Sequence, residues 1–161
     1  MLFRSLSEGR ATVILSPRGC GESLAWTRKN PPNYVERAHA LLGRTVDTGR
    51  VWDVQATARW LHEAEGNELS IGVVGRGPAG VLGAYAALFE TSIAEVTLVD
   101  PPSTHLNGPF LLNVLKVLDI PDAVGLLAPR NVNLINAKDA AFDRAMTAFQ
   151  AVGSGNRITR K

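Results

Sequence analysis

Hydrophobic positions along the chain follow two different periods. Continuous apolar runs over residues 11–16 (ATVILS), 69–74, 94–99 (AEVTLV) and 132–137 (VNLINA) are each closed by Pro, Gly, Asn, Lys or Asp and read as strands. Between them the apolar residues return at helical spacing. Val51, Val54, Ala58, Trp60 and Leu61 mark one side of an amphipathic helix over residues 51–65, which Gly66-Asn67 stops. Residues 34–42 predict a short helix ended by Gly43. The Ala- and Leu-rich stretch 81–89 predicts another, with Pro78 suited to its first turn. Helical patterns also cover 109–118, 121–127 and 140–152. Residues 157–160 read as a fifth strand, and Lys29-Asn30-Pro31-Pro32-Asn33 as a loop.

Strands that are apolar throughout and alternate with helices call for a parallel sheet covered on both faces, joined by right-handed crossovers. The expected fold is therefore doubly wound α/β, a three-layer sandwich with a mostly parallel sheet. Its functional groups belong on the loops after the strands. Those loops are 18–23, 75–80, 100–105 and 138–139. A length of 161 residues suits one domain spanning 1–161.

Composition narrows the function classes. Hydrophobic residues at 45% and charged residues at 20% are globular usage. The net charge of +2 is spread over the chain except for Arg157, Arg160 and Lys161, so no nucleic-acid patch is expected. The single cysteine, Cys20, rules out an internal disulfide and is compatible with a reducing compartment. Apolar runs fall short of the roughly 20 residues of a membrane span, and the start MLFRSLSEGR lacks a signal-peptide core. A cytoplasmic protein without a membrane partner is the expectation.

Gly75-Arg76-Gly77-Pro78-Ala79-Gly80 is the densest chemical signal, and it supports two readings. In the first, Gly75, Gly77 and Gly80 form G-x-G-x-x-G between a strand and a helix, with Asp100 ending the next strand. This is a dinucleotide fingerprint: the glycines admit a pyrophosphate, the helix start attracts its charge, and Asp100 holds the ribose of FAD or NAD(P). Such fingerprints usually open a domain, whereas about 70 residues precede this one.

The second reading covers more of the chain. Ser16-Pro17-Arg18-Gly19-Cys20-Gly21-Glu22-Ser23 resembles a D-x-R-G-x-G-x-S loop with Ser16 in the place of the acid. Gly75–Gly80 resembles a G-x-S-x-G nucleophile elbow, and Ala128-Pro129-Arg130 leading to Ala137-Lys138-Asp139 resembles the segment carrying a catalytic acid. In this order the motifs resemble the α/β-hydrolase superfamily, closest to its acetyl xylan esterase-like and prolyl-oligopeptidase-like branch. The resemblance implies carboxylic-ester hydrolase chemistry without a cofactor, on a small-molecule or carbohydrate ester. It places the nucleophile position at Gly77, which offers neither hydroxyl nor thiol, and the triad acid at Asp139. No histidine follows Asp139, and the usual oxyanion donor would lie upstream of Met1. The resemblance thus implies a partial domain, lacking N-terminal strands and the histidine-bearing segment, and catalytically impaired as a pseudoenzyme. It also implies that the strand ending at Val74 is central, flanked by the strands ending at Ser16 and Val99.

Each remaining candidate has an ordinary explanation beside the chemical one. Asp100 before Pro101-Pro102 can simply turn the chain, and Asp139 can cap a helix. His105 is expected as an exposed loop residue rather than a base, and His39 and His62 as helix residues; no pair of them has metal-ligand spacing. Cys20 is expected to be a plain thiol. Arg18 is expected to form an ion pair that fixes its loop, and Arg76 points near the site in either reading.

Overall fold

The computed structural model describes residues 2–6, 10–21, 34–65 and 70–161. The loop expected over 29–33, the helix stop at Gly66-Asn67, Leu69, Glu22 and Ser23 lie outside the described residues.

Strands β1 (Leu2–Leu6) and β2 (Arg10–Ile14) pair antiparallel as a separate two-stranded sheet. Then come helices α1 (Tyr34–Leu41) and α2 (Val46–Glu65), strand β3 (Ile71–Arg76), helix α3 (Pro78–Phe89) and strand β4 (Ile93–Val99). Helix α4 (Ile120–Gly125), strand β5 (Asn131–Ile135), helix α5 (Asp143–Ala151) and strand β6 (Ile158–Arg160) complete the order. β3 to β6 form one parallel sheet in the order β3-β4-β5-β6. The chain is an α/β protein with a mostly parallel sheet, as its strand and helix alternation predicts.

Local chemistry explains the boundaries. α2 begins five residues before the apolar pattern, because Thr45 and Thr48 cap it reciprocally: the Thr45 hydroxyl accepts the Thr48 amide at 3.0 Å and the Thr48 hydroxyl accepts the Thr45 amide at 3.0 Å. At α4, Asp119 and Asp122 form a capping box. The helix expected over 109–118 is absent. Only the 3-10 turn Val114–Lys116 forms there, starting from a left-handed Asn113.

α3 is buried from Gly80 through Ala87 because it lies between the sheet and α2. Small residues permit that approach: a Cβ on Gly83 would come within 2.7 Å of Val73. The core gathers Val96, Leu98, Val132 and Leu134 from the strands with Val81, Ala84, Val124, Phe142, Ala145 and Phe149 from the helical side.

Two expectations are corrected here. The strand ending near Val74 is not central: β3 pairs with β4 as foreseen, but β2 pairs with β1, so among the described residues β3 is a sheet edge. The sheet is also not apolar on both faces. The face opposite the core exposes Gly72, Val74, Arg76, Glu95, Asn131 and Thr159. It carries a polar ladder in which the Asn133 amide donates to Glu95 at 2.7 Å and to Thr97 at 3.3 Å, and the Thr159 hydroxyl donates to Asn133 at 2.8 Å. Alternation within β4 and β5, rather than a continuous apolar run, is the physical reason.

Candidate functional site at the carboxyl ends of the strands

The turn from β3 to α3 is set by three glycines for two different reasons. A Cβ on Gly75 would lie 2.5 Å from the Ala79 carbonyl carbon, and one on Gly80 would lie 2.6 Å from the Gly75 oxygen. Strand and helix touch backbone to backbone there, and only glycine fits. Gly77 is different. It is the residue just before α3, with φ 57° and ψ −132°, and a Cβ built on it would meet nothing within 4 Å. The setting is one that side chains rarely adopt, yet the space above it is open. Its amide donates to the Val99 carbonyl at 2.7 Å, which ties the turn to β4.

Of the predicted residues, the strand ends bring Arg76 and Asp100 into contact. Arg76 pairs with Asp100 at 2.8 Å, across an exposed surface where such a pair adds little stability. Asp100 takes a left-handed backbone at φ 49° and donates its amide to Ile135 at 2.9 Å, so it does turn the chain. Asp139 caps the 3-10 turn Ala140–Phe142 by accepting the Ala141 amide at 2.9 Å, and it also accepts the Ser103 hydroxyl. The Ser103 hydrogen bond, followed by that of Ala141, holds the Asp139 carboxyl below the usual carboxylate range. Arg160 fixes the same loop from β6, donating to the carbonyls of Ala137 at 2.6 Å and Asp139 at 3.0 Å.

His105 is not the exposed loop residue that the sequence suggests. It is buried, with Nδ1 2.8 Å from the Pro109 carbonyl and Nε2 2.8 Å from the Tyr85 hydroxyl. A carbonyl only accepts, so Nδ1 carries the proton, and in the neutral ring Nε2 accepts from Tyr85. Burial, aided by the charges of Asp119 and Asp122, pushes the Tyr85 hydroxyl up to about 12. Both ring nitrogens are committed, which makes His105 a structural residue of the loop rather than a base at the strand ends.

Arg18 does what its ion-pair reading implies. Its guanidinium grips Asp53 of α2 through Nε at 3.0 Å and Nη2 at 2.6 Å, its amide donates to the same carboxylate at 2.9 Å, and it lies 5.7 Å over the Trp52 ring. The Asp53 hydrogen bond raises the Arg18 pKa. Burial acts to raise the Asp53 carboxyl, but the Arg18 hydrogen bonds outweigh it and the net direction is down. Arg50 adds bonds to the Arg18 and Gly19 carbonyls at 2.9 and 3.2 Å. Sequence reasoning missed Asp53, Arg50 and Ser103. The first two share one side of α2 with Asp47 at a spacing of three, a polar stripe visible in the sequence; Ser103 has no such signal.

A depression of about 250 Å³ lined by Glu36, Thr45, Val46, Asp47, Arg50 and Phe110 opens at the start of α2 and includes none of the candidate residues. Among the described residues no group of three or more His, Cys, Asp or Glu side chains converges as metal ligands, and no helix is long and apolar enough to cross a membrane.

No protein-family model and no curated protein matches the chain. Among solved structures, the crystal structure of a putative acetyl xylan esterase from Bacteroides fragilis is similar, with a TM-score of 0.58 and 18% identity over 89% of this chain and 44% of that one. The likeness is one of fold. This chain spans less than half the length of the Bacteroides protein.

Proposed function

We propose that this chain is an α/β-hydrolase-like domain of the esterase type that keeps the strand-turn-helix of a nucleophile elbow and has lost the nucleophile, so that it contacts a small-molecule or carbohydrate ester without cleaving it. The observation that carries this reading is Gly77: a positive φ of 57° immediately before α3, with open space where a side chain would stand. An elbow needs that strained turn to lift a hydroxyl above the sheet. Glycine removes the strain and the chemistry together. Asp139 stands at the triad-acid position with its carboxylate held charged by Ser103 and Ala141. Among the described residues no base is seen beside it, and His105 is bonded to Tyr85 and Pro109. The fold shared with the Bacteroides protein supports the same reading. The rival assignment is FAD or NAD bound at Gly75, Gly77, Gly80 and Asp100, whose carboxylate pairs with Arg76 at the surface.

The test is release of p-nitrophenol from p-nitrophenyl acetate. The chain should give no rate above buffer, and Gly77→Ser should give none either, because triad members act as a unit. Gly77→Ser should also cost about 1–3 kcal/mol of stability from its positive φ. Turnover by the unmodified chain that disappears in Asp139→Ala would refute the proposal, as would a stoichiometric yellow chromophore on the purified protein.

A further inference from the structure

The loop after β4 holds a reactive pair that the candidate site does not use. Asn107-Gly108 is the single Asn-Gly step in the sequence. Asn107 is exposed and closes a turn in which its backbone amide donates to the Thr104 carbonyl at 3.2 Å. Among the described residues nothing hydrogen-bonds the Asn107 side chain, and the Gly108 amide has no acceptor.

We propose that Asn107 is a site of spontaneous modification, converting through a cyclic imide to aspartate and isoaspartate. The Gly108 nitrogen gives up its proton and bonds to the Asn107 side-chain carbonyl carbon, while the bond from that carbon to Nδ2 breaks and ammonia leaves. Solvent water then opens the ring. Addition at the side-chain carbonyl gives aspartate. Addition at the backbone carbonyl gives isoaspartate, in which the main chain runs through the side chain and gains a methylene. Nothing is oxidised or reduced. Glycine has no Cβ to shield its nitrogen, and its backbone reaches the conformations that ring closure needs.

The other described asparagines lack this combination. Val114 and Arg157, which follow Asn113 and Asn156, donate their amides to Leu111 at 3.3 Å and Ser154 at 2.8 Å, and their side chains shield the nitrogen. Asn131 and Asn133 stand in β5 between two parallel neighbours, and Asn136 precedes an alanine. Packing also keeps residue 108 a glycine: a Cβ there would lie 2.9 Å from Ile120 Cδ1 and 3.1 Å from the Thr104 carbonyl oxygen. The product acts on the fold because the loop is pinned around this step. The His105 amide donates to Asp119 at 2.8 Å, and the Pro109 carbonyl accepts from His105 Nδ1 at 2.8 Å. A methylene added between residues 107 and 108 displaces Gly108 from Ile120 or breaks the bond between Pro109 and His105. The same loop carries Asp100 and Ser103 to Arg76 and Asp139 at the candidate site.

Ageing the purified full chain in warm, mildly alkaline buffer, followed by peptide mapping with mass spectrometry, tests this. Asn107 should convert ahead of every other described asparagine, with isoaspartate among the products. Hydroxylamine, which traps the imide, should cleave the aged chain between residues 107 and 108. Asn107→Gln should remove both signals, because glutamine closes its larger ring far more slowly. The native chain should react within about tenfold of the rate in urea, since an exposed loop needs no unfolding to react. The isoaspartyl form, separated from the parent, should have a lower urea midpoint, whereas Asn107→Asp, which carries the charge on an unaltered main chain, should keep the parent's. An Asn107 that survives while another described asparagine converts, or that reacts only in urea, overturns the proposal. An isoaspartyl form with the parent's midpoint overturns its consequence for the loop.

Discussion

The two faces of the four-stranded sheet are made from the same strands and held by different forces. One face sets Val96, Leu98, Val132, Leu134 and Ile158 against the helices, with nearly all of their surface removed from water. The other sets Glu95, Asn133, Thr97 and Thr159 in a hydrogen-bonded ladder open to solvent. Dispersion and water exclusion act on the first and scale with buried area. Cross-strand hydrogen bonds act on the second, in competition with water, and net little. The stability of this domain is therefore carried by one side of the sheet, which leaves the other side free to carry polar residues.

The largest effect should follow from emptying the covered face. Phe149, fully buried on α5, is among the largest core side chains. Phe149→Ala should cost about 3–5 kcal/mol, the sum of lost transfer energy and a cavity that the close-packed helices cannot collapse. Urea unfolding followed by circular dichroism measures it. A loss under about 1 kcal/mol would mean that this face is not where the stability resides.

Much of the architecture was legible in the sequence, and the errors have physical causes. Strand and helix alternation gave the parallel sheet, and Pro78 marked the start of α3 where helical geometry begins. The face assignment differs because residues 94–99 and 132–137 are not continuous apolar runs: Glu95 and Thr97 alternate with Val96 and Leu98, and Asn133 stands between Val132 and Leu134. That alternation is the signature of a half-buried sheet. The site was legible only where backbone demands are sequence-specific: Gly75 and Gly80 are glycine for close approach, and Gly77 for its positive φ. The burial of His105 is not legible because nothing near it in sequence announces Tyr85, twenty residues earlier on α3. Ser103 was missed for the same reason, its partner Asp139 lying beyond another strand.

A smaller effect belongs to the rim of the covered face, where Asp119 caps α4 and also accepts the His105 amide at 2.8 Å. Burial acts to raise its carboxyl, but hydrogen bonds from the Thr104 side chain and the His105 and Ile120 amides prevail and lower it. A carboxyl lowered on folding contributes stability that is present above the unfolded value near 4 and is lost as pH falls through the lower folded value. Asp119→Ala should therefore cost about 1 kcal/mol at neutral pH, with Asp119→Asn, still a competent cap, costing less. Both should flatten the decline of stability below about pH 4. Denaturation midpoints from pH 2 to 7 measure this, and an unchanged acid decline in both variants would remove Asp119 as its source.

The smallest effect separates the two faces most sharply. Asn133 sits in the middle of the open-face ladder, bonded to Glu95, Thr97 and Thr159. Three hydrogen bonds on the covered face would make Asn133→Ala severe, because their partners would be left buried and unpaired at about 1–3 kcal/mol. On the open face the partners return to water. Glu95 and Thr159 are exposed, so the loss reduces to the weak cross-strand term, about 0.5 kcal/mol. The measurement is the urea midpoint of Asn133→Ala beside that of Phe149→Ala. A cost above about 1.5 kcal/mol would show that water does not reach the ladder, and that the two faces are both interior.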